Sequence, residues 1–161
     1  MRLILVLAAA LLMGPIAATG AVAQDLQVTV AGRDSVVLSP AEVASLPRAK
    51  ATITAKGASV VYEGALLHEV LLKAGVVSGE RLMGRYLNQV VVIRASDGFT
   101  SMLSIAETDP VYRANPVVLA DTVNGKPLDA REGPYRVVVD GDLRPSRSSR
   151  AVVAIEVKAG F

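Results

Sequence analysis

From Leu26 to Val30 apolar and polar residues alternate, the two-residue period of a strand with one buried face. Ser39-Pro40-Ala41-Glu42 follows, a hydroxyl, a proline at the first helical position and a carboxylate three residues on. This capping box predicts a short helix ending near Leu46-Pro47. The β-branched runs at 51–54 and 59–62 predict a hairpin turning at Lys56-Gly57. Leu66, Leu67, Val70, Leu71 and Ala74 share one face of a helix over 66–74. Gly64 reads as the turn residue before it and Gly75 as its C-terminal cap. Gln89 to Ala95 is nearly continuous in apolar residues, as a strand buried on both faces is. Asp97-Gly98 then predicts a turn into a return strand over 99–103. Ser104 and Glu107 form a second capping box, stopped by Pro110. Strands are expected at 117–120, 135–139 and 151–157, with a turn at Asn124-Gly125. Strands dominate and helices interrupt them irregularly. The fold class is therefore α+β, with mostly mixed or antiparallel sheet and a few short helices, not a doubly wound parallel sheet.

Ahead of this pattern stands a different one. Met1-Arg2 is followed by an unbroken apolar run from Leu3 to Met13, then Gly14-Pro15, then Ala21-Val22-Ala23. A short basic start, an apolar stretch and an A-x-A site make residues 1–23 a signal peptide cleaved after Ala23. One domain is expected over 24–161. The competing reading is an uncleaved anchor, because residues 3–23 carry no charge and are long enough to span a bilayer. The Gly14-Pro15 interruption and the cleavage motif favour export.

Composition removes several chemistries. The chain has no Cys, so disulfides, iron–sulfur clusters and thiolate metal sites are excluded. A single His excludes any site built on two imidazoles. Seventeen Lys and Arg against fifteen Asp and Glu leave no strong field for nucleic acid. Neither a G-x-S-x-G elbow, a P-loop nor a G-x-G-x-x-G motif is present. His68 falls beside Glu69 and Lys73, off the apolar stripe of its helix, and reads as an exposed surface residue. Three features stand out: Tyr62-Glu63-Gly64, the Ser96-Asp97-Gly98-Phe99 turn, and Arg144-Pro145-Ser146-Arg147-Ser148-Ser149-Arg150. The last places three guanidinium forks among three serines, between two strands, where they can converge on a phosphate, a carboxylate or a flat heterocycle edge. A solvated basic loop is the plainer reading of the same residues.

The order of these pieces resembles the sulfite oxidase-type molybdopterin-binding domain. Tyr62 to Val76 is similar to its glycine, leucine-rich helix and Ala-Gly-Val block, and Ala95 to Phe99 to its Asp-Gly-aromatic turn. Val117 to Leu128 resembles its strand ending in Asn-Gly-x-Pro-Leu, and Glu132 to Val139 its Gly-Pro-x-Arg strand. Arg147 and Arg150 fall where that family carries basic residues before its last strand. The resemblance implies a pterin-side cleft built from Asp97, Arg147, Ser148 and Arg150; Arg144, which precedes Pro145, is expected to point to solvent. Catalytic members hold molybdenum through a cysteine upstream of the Gly-leucine helix; this chain has none, so molybdenum is not expected. The implied function is that of a periplasmic, non-catalytic pterin-binding regulator acting on a membrane-bound enzyme of cyclic-di-GMP turnover. The alternatives are a molybdopterin-dependent oxidoreductase component and a structural interaction domain with a vestigial cleft.

Overall fold

The structure is a computed structural model that describes residues 24–55 and 57–160. The expected cleavage after Ala23 and the hairpin residue Lys56 lie outside the described residues. The described residues form two five-stranded sheets. The first is built from β1 (Leu26–Val30), β2 (Val36–Leu38), β5 (Gln89–Ala95), β6 (Thr100–Ser104) and β10 (Val152–Ala159), in the order β2-β1-β10-β5-β6. The second comprises β3 (Arg48–Ala55), β4 (Ala58–Leu66), β7 (Val117–Val123), β8 (Lys126–Pro127) and β9 (Arg136–Val139). β3, β4 and β7 lie side by side, and β8 and β9 share the outer edge of β7. All pairings are antiparallel except β1 with β10, so the first sheet is mixed. The α+β class expected from the sequence is the class observed.

The capping boxes behave as their spacing requires. Ser39 accepts from the Glu42 N–H at the start of α1 (Pro40–Ala44), and Glu42 accepts from the Ser39 N–H at 2.8 Å. Ser104 and Glu107 repeat the arrangement at α3 (Ile105–Thr108). The leucine-rich helix α2 (Leu67–Lys73) buries Leu67, Val70 and Leu71 in the main core. That core is shared by the facing sides of both sheets, from Val28 and Ile155 on one to Leu119 and Val137 on the other. A smaller apolar cluster, Ile53, Tyr62, Val118, Leu128 and Val138 among it, covers the other face of the second sheet.

Gly64 differs from expectation. It is a strand residue of β4, not a turn, and sits where β7 carries an extra residue, Asp121, in a bulge. A Cβ there would lie 2.1 Å from the Leu119 carbonyl oxygen and 2.5 Å from the Ala120 Cα, so two backbones meet where only glycine fits. Among the described residues no helix is long and apolar enough to cross a membrane.

Candidate functional site

β5 and β6 are joined by the Asp97-Gly98 turn. Gly98 takes φ +86°, and Asp97 Oδ1 accepts the Phe99 N–H at 2.9 Å, which holds the turn in shape. Phe99 is left 46% exposed at its end. Opposite stands the arginine–serine segment. Pro145–Arg147 form a single 3₁₀ turn closed by the Ser148 N–H on the Pro145 carbonyl at 3.0 Å. Ser149 is fixed inward: its hydroxyl shares a 2.6 Å hydrogen bond with the buried Ser101 of β6, and its carbonyl accepts the Val137 N–H. Ala151 then adopts φ +48°, unusual for a residue with a Cβ. Two hydrogen bonds hold it there, its N–H to the Glu132 carbonyl at 2.8 Å and its carbonyl from the Ser96 N–H at 2.9 Å. A local strain secured by both flanking loops is the kind found beside functional clefts.

Between these walls lies a cleft of about 280 Å³, at the small end of ligand-binding pockets. Asp97 and Phe99 line one side, Pro145, Ser146, Ser148 and Arg150 the other, and Arg136 the floor. Arg136 was not singled out from the sequence. Its signal was a lone guanidinium in β9, a strand whose four positions are all buried. It is ion-paired with Glu132, donates to the Tyr62 hydroxyl at 3.0 Å and stacks 4.8 Å from the Tyr62 ring centroid. Burial pushes the Tyr62 phenol above its usual range, with Arg136 opposing the shift. Two polar atoms of residues lining this cleft, Arg136 Nε and Ser148 Oγ, are buried without a hydrogen-bond partner among the described residues. A buried group left unpaired costs about 1–3 kcal/mol.

Asp97, Ser148 and Arg150 thus share one cleft, and Arg150 has no ion-pair partner among the described residues. Arg147 does not join them. Its Nε and Nη2 donate to both oxygens of Asp142 at 2.8 and 2.9 Å, and its Nη1 to Glu107 at 2.6 Å. These bonds raise the Arg147 guanidinium, the Asp142 bond most, and hold the Asp142 carboxyl below the usual carboxylate range. Arg147, expected to line the cleft, is not among its lining residues; its guanidinium is held instead by the carboxylates of Asp142 and Glu107. Arg144 is exposed, as expected.

His68 also differs from its reading as a surface residue. Its side chain is only 16% exposed, and Nδ1 lies 4.0 Å from the buried Asp109 carboxylate. Asp109 spends its oxygens on the Gly79 and Val111 N–H groups. The loop carrying Asp109 folds over the polar face of α2, which the helical period alone does not reveal. Among the described residues no cluster of three or more His, Asp or Glu is placed to hold a metal ion.

Sequence comparison matches the chain to no protein-family model and to no curated protein. Comparison of structures finds the sulfane dehydrogenase SoxCD from Paracoccus pantotrophus, with TM-score 0.60 and 16% identity over 84% of this chain. The chain spans 38% of that protein's length. At this identity the likeness is one of fold: the two-sheet α+β arrangement recurs as part of a larger oxidoreductase chain.

Proposed function

We propose that this chain is a non-catalytic binding module of the sulfite oxidase-type molybdopterin-binding fold. In this reading it takes a pterin-type ligand in the cleft between Asp97 and Arg150. The observation that carries it is the cleft that brings together the Asp97 carboxylate, the exposed Phe99 ring and the Arg150 guanidinium, which has no ion-pair partner among the described residues. A pterin has the complementary edge. Its amino-pyrimidine hydrogens suit Asp97, its carbonyl suits Arg150, and its flat face suits the exposed Phe99 ring.

The residues present do not fit a molybdenum centre of the catalytic kind. No cysteine exists to supply a soft thiolate, and the alcohols of Ser146 and Ser148 are poor replacements. No oxidoreductase step is therefore assigned to this chain, although its structural neighbour is a dehydrogenase. The proposal extends to a periplasmic location after loss of residues 1–23, and to a membrane-bound partner of cyclic-di-GMP turnover that senses the liganded state. The supporting features are the A-x-A site at 21–23 and the resemblance of the motifs. The test is mass spectrometry of small molecules released from protein purified from its native envelope, with metal analysis of the same sample. A bound pterin without molybdenum supports the reading. About one molybdenum per chain retained through gel filtration overturns it and favours an oxidoreductase component.

A further inference from the structure

We infer that Arg147 is a positioning residue that sets the separation of the two cleft walls without meeting the ligand, an inference that rests on the ligand-binding reading above. Its three charge-assisted hydrogen bonds tie the start of the arginine–serine segment to α3, whereas the Ser101–Ser149 and Ser96–Ala151 hydrogen bonds join the end of that segment to the first wall. Asp142 belongs to the turn that follows β9 and opens the arginine–serine segment. Glu107 belongs to α3, which begins where β6 ends. β6 in turn starts at the Asp97-Gly98-Phe99 turn, the first wall.

Glu107 is itself held from several directions. One oxygen accepts the Ser104 N–H at 2.9 Å and closes the capping box, while the other receives Arg147 at 2.6 Å, with Arg113 3.8 Å away. Arg113 is anchored to the carbonyls of Asn115 and Asp140 at 3.1 and 2.5 Å. The bidentate grip on Asp142 fixes the plane of the guanidinium as well as its position. Arg147 also ends the 3₁₀ turn whose Pro145 and Ser146 line the cleft, immediately before Ser148. With Ser149 and Ala151 already bonded to the first wall, Arg147 sets the position of the Pro145–Arg147 turn, the part of the second wall that those bonds leave to it.

The test combines hydrogen–deuterium exchange over residues 143–150 with titration of tetrahydropterin. The proteins compared are the wild type, Arg147→Ala, Arg147→Lys, Glu107→Gln and the double variant Arg147→Ala/Glu107→Gln. Glutamine at 107 preserves the capping box, so helix α3 is retained. Exchange over 143–150 should rise in all variants. Affinity should fall about fivefold in Arg147→Ala and in Glu107→Gln, the scale of a partly exposed ion pair. The double variant should lose no more than the larger single loss, and lysine should recover little, because it cannot reproduce the fork. Unchanged exchange overturns the inference. So does an affinity loss in Arg147→Ala that Glu107→Gln does not share, since that would make Arg147 a direct contact. A fall in melting temperature with unchanged affinity would reduce the clamp to general stability and also overturn it. If the wild type takes no tetrahydropterin, the ligand reading fails while the exchange measurement still decides whether the clamp holds the wall.

Discussion

On the proposed ligand reading, Ser148 is unfavourable for the fold and useful for binding. Its hydroxyl is buried with no hydrogen-bond partner among the described residues, so the unliganded protein bears the desolvation cost without a hydrogen bond in return. Ser148→Ala is expected to stabilise the free protein, by up to about 1 kcal/mol in denaturant titration, and to weaken tetrahydropterin binding in calorimetry. A destabilised variant with unchanged affinity would place Ser148 in the packing instead. The guanidinium groups of this region divide by the same logic. Arg136 and Arg147 are tied to carboxylates, whereas Arg150, which lines the cleft, has no carboxylate partner among the described residues. Residue type showed that the segment was rich in forked donors. Which fork was free depended on Asp142 and Glu107, one five residues away and one forty, and no local pattern encodes that pairing.

The elements were the most legible part of the chain. The strands Leu26–Val30 and Gln89–Ala95 and both capping boxes occur where the residue periods place them, because each rests on local chemistry. β2 was missed because three residues are too few to show a period. Gly64 was misread because a glycine required by a crossing backbone looks, in sequence, like one required by a turn. Gly64→Ala drives a methyl into the backbone of β7 and is expected to cost at least about 3 kcal/mol in chemical denaturation, since neither strand can yield without losing its ladder. A loss under 1 kcal/mol, on the order expected for an open site, would contradict the packing of β4 on β7. The first sheet carries its own test in Glu156 of β10. Hydrogen bonds from Arg94 of β5, and then from Lys158, hold its carboxyl down to about 2. Its stabilising contribution is present above the ordinary value of 4.5 and disappears as pH falls towards 2. Melting temperature should decline over that window, and less steeply in Glu156→Gln; identical acid limbs in the two proteins would remove the assignment.

For the whole molecule, two sheets packed on one core leave the cleft at the end where the β5–β6 turn, the segment before β10 and the loop before β9 converge. Opposite effects act at the alkaline end of the pH range. Burial pushes the Tyr135 phenol up to about 12, so stability is intact below its ordinary value of 10 and is lost as pH rises through 12. Tyr135→Phe should flatten that limb of a melting curve series. The fold was readable because alternation and capping are local, and the cleft was partly readable because Asp97, Ser148 and Arg150 sit on loops flanking clear strands. Its floor was not, since Arg136 is brought under it only by the pairing of β9 with β7 and by Glu132 and Tyr62. The central claim, that this floor and these walls recognise a pterin, is tested most directly by calorimetric titration of tetrahydropterin into the wild type, Asp97→Asn and Arg150→Ala. Saturable binding at one site per chain is expected, weakened about 10- to 150-fold in Arg150→Ala and measurably in Asp97→Asn, as loss of charge-assisted hydrogen bonds requires. Absence of wild-type binding, or equal affinity in all three proteins, would contradict it.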